Sequence, residues 1–399
     1  MTLLPRAESA VRAGHPWVFA ESIKTQNREG EAGEFVVMYD RRDRFMAIGL
    51  YDPDSPIRVR ILHQGKPANI DRSWWLAKAG EAREKRIGGV FKEGTTGGRW
   101  INGESEGFPG MVVDRYADTV VVKLYSAIWL PRWEEIEAVL REVFEPGHLV
   151  LRLSRNLIES ARAFGIEEGF RGDSGDEVVV FEENGLRFES AVRHGQKTGF
   201  FLDQRDNRAR VGEMSAGREV LNLFSFSGGF SLYAARGGAK KVVDVDISEY
   251  ALESARRNMA LNAQLDPSLH HGIQADVFEW IEQCQDDFDV VIVDPPSLAK
   301  RERDRSGAIR MYRRLNAAAM RRVRSGGVLL AASCSAHVSS TEFFGAVRSE
   351  AGRSGRRWEE VWTAGHALDH PASFPEAEYL KAVCLRSRVG SSRRDDRAA

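Results

Sequence analysis

Cys334 lies in the run Leu329-Leu330-Ala331-Ala332-Ser333-Cys334-Ser335, between two serines just past an apolar stretch. A loop at the end of a buried strand can present such a cysteine as a thiolate nucleophile. Most cysteines are small core residues. Cys284, near a helix, and Cys384, in the late apolar run 382–385, read that way. Cys334 differs in its polar flanks and in its expected position opposite Asp294-Pro295-Pro296, which closes the apolar run DVVIV. Upstream, residues 220–230 (VLNLFSFSGGF) read as a strand, a loop of small residues and a helix. Small residues there let the backbone approach a ligand closely. Asp246 ends the next strand and could accept both hydroxyls of a ribose. Asp276 follows a third strand candidate near 272–274 and could receive the exocyclic amine of an adenine, with Val277-Phe278 beside the ring. A lone acid after a strand is more often a helix N-cap. The ordered series of loop, acid, acid and Asp-Pro-Pro points instead to a nucleoside-containing cofactor. There is no G-x-G-x-x-G fingerprint and no phosphate-cradling lysine, which argues against a nucleotide phosphate.

The elements that must position these residues follow from pattern. Strands alternate with helices from about residue 193: strands at 220–224, 241–246, 289–294 and 327–332, helices at 230–236, 251–262 and 311–322. That order implies a parallel sheet with helices on both faces. Residues 1–68 look strand-rich, with runs at 34–39, 45–50 and 57–62; the last alternates apolar and basic residues and would carry Arg58 and Arg60 on one face. A charged helix at 74–87 and a loop at 102–110 come next. Strands at 111–114, 119–125 and 148–153, a helix at 131–144 and a hairpin around Asn184-Gly185 complete an α+β middle region. The expected fold is α/β, in domains 1–68, 69–190 and 191–390, with a disordered tail at 391–399.

Composition sets bounds. The 399 residues exceed one compact core, and a net charge of −1 means that any nucleic-acid surface must be a local patch. Three scattered cysteines without CxxC spacing argue against a zinc cluster or disulfides and fit a reducing compartment; no metal is expected. The N-terminus lacks a signal-peptide apolar run, and no stretch reaches the length a membrane span needs, so a cytoplasmic protein without a membrane partner is expected.

One run is more specific. His194-Gly195-Gln196-Lys197-Thr198-Gly199-Phe200-Phe201-Leu202-Asp203-Gln204-Arg205-Asp206-Asn207-Arg208 resembles the signature of bacterial large-subunit (23S) rRNA cytosine-C5 methyltransferases. Gly14-His15-Pro16-Trp17-Val18-Phe19 and residues 55–62 resemble that family's PUA segments, and 102–116 its middle-domain signature, so the likeness spans nearly the whole chain. It implies a β-rich PUA-like RNA-binding domain, an α+β middle domain and a class I, Rossmann-like methyltransferase domain that uses S-adenosyl-L-methionine. It also implies that Gln196, Lys197, Thr198, Phe201 and Asp203 help form the cofactor pocket. Methionine-end contacts would come from Asn222, Phe224, Ser225, Ser227 and Gly228, a ribose contact from Asp246, and adenine contacts from Asp276 and Val277.

Carbon 5 of cytosine is a poor nucleophile until a thiolate adds to carbon 6, the part expected of Cys334, with Asp294 on the pyrimidine edge. A second group of RNA cytosine-5 methyltransferases carries another cysteine after this Pro. Here that position is Ser297, a weak base, so the group that removes the carbon-5 proton is unnamed. On chemistry alone uridine C5 stays open; guanine N7 would need no cysteine, and a non-catalytic RNA-binding or assembly factor would need neither acids nor Cys334. Residues 300–324 hold ten basic residues, among them Lys300, Arg301, Arg310, Arg313 and Arg314, against Glu302 and Asp304 alone. With Arg58, Arg60, Arg41, Arg42 and Arg44 they could grip 23S rRNA or a large-subunit precursor. Tyr312 could stack on a base or pack on a helix face. Exposed β edges would allow a homodimer.

Overall fold

The computed structural model describes residues 1–388; the tail expected at 391–399 lies outside the described residues. The chain divides into two compact units. One is Met1–Leu202 with Leu368–Pro375, the other Asp203–Ala367 with the described residues from Glu376 to Arg388.

The second unit is built on one seven-stranded sheet. Its strands are β1 (Glu219–Leu223), β2 (Lys241–Asp246), β3 (His270–Gln274), β4 (Phe288–Val293), β5 (Val323–Ser333), β6 (Trp358–Ala364) and β7 (Lys381–Ser387), in spatial order 3-2-1-4-5-7-6. The first five run parallel, and β7 lies antiparallel between β5 and β6. The helices are α1 (Arg205–Glu213), α2 (Gly229–Arg236), α3 (Glu249–Ala260), α4 (Val277–Gln283), α5 (Arg305–Arg321) and α6 (Ser340–Arg353). Continuous Val/Ile runs suit a parallel sheet covered on both faces. Alternate residues feed two cores: Val291, Val293, Leu329 and Ala331 point to one, and Val290, Ile292, Leu330 and Val220 to the other. α5 begins six residues before the expected 311, because its first turns (RSGAIR) are polar and show no apolar stripe. β6 was not expected either. It is a charged edge strand, and an edge needs no apolar run.

In the first unit, a four-stranded antiparallel sheet runs in the order Trp17–Phe19, Ile57–Gln64, Phe45–Tyr51, Phe35–Tyr39. The helix Pro5–Arg12 precedes it, with Pro5 in the first turn, where a missing N–H costs nothing. Ile57–Gln64 is an interior strand, which corrects the expectation for Arg60. Its side chain does not face outward: Arg60 is 8% exposed, and its Nη1 donates to Glu104 Oε1 at 2.5 Å. Trp17 Nε1 donates to the same oxygen at 2.9 Å, and the guanidinium lies 5.9 Å from the Trp17 ring. Neutralised and buried, Arg60 is withdrawn from any phosphate. Arg58 is half-buried and donates to the Asp52 carbonyl.

A five-stranded sheet follows in the order Gly169–Phe170, His148–Leu153, Thr119–Leu124, Met111–Tyr116, Gly97–Asn102. Its core holds Trp75, Phe108 and Trp129 against the helices Arg72–Arg86 and Trp133–Phe144. The expected loop at 102–110 contains a 3-10 turn, Gly103–Glu106, that buries Glu106 against Arg86. Arg86 Nη2 donates to Glu106 Oε2 at 2.7 Å, and Arg86 Nε to the Arg99 carbonyl at 3.0 Å. The Asn102 N–H adds a bond to the same carboxylate at 2.8 Å. Removing one partner of a satisfied buried pair strands the other charge. Glu106→Ala should therefore cost about 3–5 kcal/mol. The measurement is the urea midpoint of the first unit's transition, and an unshifted midpoint would reject the pair as a structural anchor.

Candidate methyl-transfer site

Residues 224–228 turn the chain from β1 into α2 through alternating left-handed positions: φ is +58° at Phe224, +47° at Phe226 and +74° at Gly228. Such residues cluster where backbone is shaped for a ligand. Gly228 cannot carry a side chain, since a Cβ there would lie 2.8 Å from Ala255 Cβ. The hydroxyls of Ser225 and Ser227 are buried with no hydrogen-bond partner among the described residues. Two orphaned hydroxyls in a strained glycine loop fit a polar ligand held against this turn.

Asn222 requires a correction. Its side chain was expected at the methionine end of the cofactor, but it is 1% exposed and donates to Ser231 Oγ at 2.9 Å and Asp244 Oδ1 at 3.1 Å. In register with Asp244 on β2, it turns into the layer beneath the loop. Asp244 is fully buried; it also takes the Ser231 hydroxyl and His270 Nε2, the latter at 2.7 Å. This pairing raises the His270 pKa against the opposing effect of burial. Asn222 and Asp244 thus support the loop rather than line it.

Asp246 and Asp276 stand at the ends of β2 and β3. Asp246 Oδ2 accepts from the Phe226 N–H and Oδ1 from the Ser248 N–H, both at 2.9 Å. A carboxylate has about four acceptor sites, so ribose hydroxyls can still be received. Exposed Ile247 follows it, an apolar surface beside the acid that local pattern did not single out. Asp276 caps α4 through the Phe278 N–H and is itself exposed. Val277 is buried in the core, and Phe278 packs on Phe224 with centroids 5.5 Å apart. Asp203 accepts the Tyr379 hydroxyl at 2.8 Å. Gln196, Lys197, Thr198 and Phe201 belong to the first unit. There Thr198 is bound to Asp114 and Tyr116, Lys197 Nζ lies over the Phe201 ring, and Gln196 is exposed.

Cys334 and the Asp-Pro-Pro loop come together: Cys334 Sγ is 3.9 Å from the Pro295 carbonyl oxygen. Ser335 makes this possible. Its buried hydroxyl accepts from the N–H groups of Leu298 (3.0 Å) and Ala299 (3.3 Å) and lies 2.8 Å from the Tyr312 hydroxyl. Ser333 donates to the same tyrosine oxygen at 2.8 Å. Tyr312 is therefore a buried strut, not a stacking platform. Ser297 Oγ donates to the Ala299 carbonyl at 3.2 Å and lies 3.3 Å from Ser335 Oγ, so it too is structural. Gln204 Nε2 donates to Asp294 Oδ2 at 2.9 Å and is itself held by Asn207. Lys381 on β7 is 1% exposed, and its Nζ donates to the Ser335 carbonyl at 2.6 Å. Burial lowers its pKa to about 8, a shift worth roughly 3 kcal/mol against the charged form. Burial also pushes the Cys384 thiol up to about 12 and raises that of Cys284. Both are poor nucleophiles.

The basic stretch 300–324 is less charged than its composition suggests. Arg313 pairs with Glu350 at 2.7 Å, and Arg314 and Arg321 with Glu282 at 3.4 and 2.5 Å. Arg305 pairs with Glu342, and Arg324 with Glu219 and Asp289. These acids are distant in sequence, so local counting missed them. Lys300, Arg301 and Arg310 are exposed and in no ion pair among the described residues. No helix is long and apolar enough to cross a membrane, and no group of three or more His, Cys, Asp or Glu converges to hold a metal, among the described residues.

The strand order and the loop and acids at the strand ends define an S-adenosylmethionine-dependent methyltransferase. The family model of that description matches residues 148–379, and a PUA-like domain matches 1–64. The "Ribosomal RNA large subunit methyltransferase" of Deinococcus radiodurans is 54% identical over 95% of both chains. "Ribosomal RNA large subunit methyltransferase I" of Aeromonas salmonicida is 35% identical over 97% of this chain and 98% of that one. The chain belongs to this family of ribosomal RNA large subunit methyltransferases. A solved methyltransferase candidate in complex with SAH shares the fold with a TM-score of 0.83 at 21% identity, over 97% of this chain and 99% of that one.

Gly228→Ala should add about 1–3 kcal/mol of strain and displace the 224–228 loop. S-adenosylhomocysteine binding, read by calorimetry, should weaken by about tenfold or more. Unchanged affinity would separate this loop from the cofactor.

Proposed function

We propose that this chain methylates carbon 5 of a cytosine in 23S rRNA or its large-subunit precursor, through a covalent bond from Cys334 to carbon 6. The observation that carries the reading is Cys334 Sγ set 3.9 Å from the Pro295 carbonyl in the Asp-Pro-Pro loop, at the same sheet edge as the glycine loop. The names of the relatives support the large-subunit rRNA substrate.

S-adenosylmethionine supplies an electrophilic methyl group on a sulfonium. The chain's residues prepare its acceptor. The Cys334 thiolate adds to carbon 6 of the flipped-out base, and the ring electron pair becomes available at carbon 5. Asp294, oriented by Gln204, bonds the N3/N4 edge and stabilises the adduct. After methyl transfer a base removes the carbon-5 proton, the double bond re-forms and the thiolate leaves. Ser297, already bonded to Ala299, is not that base. Asp246 receives the ribose and Asp276 the adenine amine. The loop hydroxyls of Ser225 and Ser227, with Phe224 and Gly228, take the methionine end. Asp203 joins the pocket by family resemblance. Lys300, Arg301 and Arg310 offer the RNA contacts, with Arg313 and Arg314 contributing less because Glu350 and Glu282 hold them.

Three outcomes are expected. Cys334→Ala should abolish methylation while leaving cofactor affinity nearly unchanged; full activity in that variant would remove the nucleophile. Mass mapping of rRNA nucleosides from cells with and without the protein should show loss of one 5-methylcytidine, and loss of a 5-methyluridine instead would reassign the base. Reversing Arg301 and Arg310 to Glu should weaken RNA binding and flatten its salt dependence, and unaltered binding would exclude that face.

A further inference from the structure

Lys381 has no part in the chemistry above, yet it occupies a place that is costly for a cation. It sits on β7 directly across from Ser333, the residue before Cys334. Its side chain is 1% exposed. Its Nζ donates to the carbonyl of Ser335, the residue after Cys334, at 2.6 Å. The ammonium is thus bound to the very turn that presents the sulfur, and it feels the charge of Cys334. We propose that Lys381 is the counter-charge that keeps Cys334 in its thiolate form and so makes it reactive at neutral pH. It acts through Cys334 and is a positioning residue, not a catalytic one.

Four other groups bear on this pair from the surrounding elements. Tyr312 on α5 feels both Cys334 and Asp294, but burial raises its pKa and its oxygen is engaged by Ser333 and Ser335, so it stays neutral. Asp294, at the end of β4, is bonded to Gln204. Glu342 on α6 is committed to Arg305, which holds its carboxyl down at about 2. Glu378 acts on Lys381 only as a charge ahead of β7. Lys381 is thus a buried cation bonded directly to the Cys334 turn. Desolvation brings its pKa down to about 8, with Cys334 and the two glutamates pulling it back up. It remains protonated at pH 7, where a thiolate needs it. The thiol proton passes to solvent, and the two groups titrate as a coupled pair. The role deepens the reading of Cys334 as nucleophile and rests on it for its catalytic meaning, but the charge pairing can be measured without RNA.

The test uses the full chain carrying Cys284→Ser, so that Cys334 is the accessible thiol. The rate of alkylation by iodoacetamide is followed against pH. The wild-type lysine should place the midpoint below the ordinary thiol range of about 8.5. Lys381→Met should raise it by about 1 unit or more, and Lys381→Arg should restore most of the difference. A midpoint unmoved in a folded Lys381→Met protein overturns the proposal. Should that variant not fold, the difference in thiolate ultraviolet absorbance between the lysine-containing protein and its Cys334→Ser partner decides: a midpoint at or above about 8.5 overturns it as well. If Cys334→Ala methylates RNA while the alkylation shift persists, the nucleophile reading fails and the ion pair stands.

Discussion

Everything in the second unit hangs on the parallel pairing of β1 with β2 on one side and β4 on the other. Leu223 is in register with Val245 and with Val293, and Val293 with Ala331 of β5. The residues just past those positions therefore emerge along one edge: Phe224, Asp246, Asp294 and, past Ser333, Cys334. In a parallel sheet each strand exchanges bonds with two neighbours, so the edge is defined three times over. A slip of one residue in any pair would invert that strand's faces. It would also send Val/Ile side chains of β4 into the wrong core.

The sheet brings strand ends near one another but does not shape the turns beyond them. That falls to buried polar groups. Asp244 gathers Asn222, Ser231 and His270 beneath the glycine loop, and Gly228 must lack a side chain because Ala255 lies directly against it. Ser335 does the corresponding work at the other end, tying the Cys334 turn to Leu298, Ala299 and Tyr312. Hydroxyls and carboxylates are costly to bury unless satisfied. A set of them bonded to one another across several elements therefore permits few alternative loop conformations.

What could be seen in the sequence divides along the same line. Apolar runs and glycine turns are local, so the strands of the parallel sheet and the acids at their ends were legible. Long-range partnership was not. Local alternation put Arg60 outside, because nothing nearby reveals that its strand is interior or that Glu104 waits for it. Counting charges over 300–324 overstated the basic surface, because Glu282, Glu342 and Glu350 come from other elements. Family resemblance placed Asn222 at the methionine end, and nothing local shows the register with Asp244 that turns it inward. Lys381 carried one faint signal, a lysine at the head of the apolar run AVCL, with nothing to say that Ser335 would receive it.

Burial then separates residues that hold from residues that can act. Asp244, Tyr312 and Ser335 are fully buried, and their bonds are spent on neighbouring elements. Asp246, Asp294 and Cys334 are half-exposed, each on a turn held from beneath by such a group. Ser297 falls on the holding side, since its hydroxyl serves Ala299 and Ser335. Replacing it with a thiol would weaken the clamp that sets Cys334 against Pro295. In this chain the hydroxyl after Asp-Pro-Pro is spent on Ala299 and Ser335, so this position belongs to the scaffold that sets the Cys334 turn.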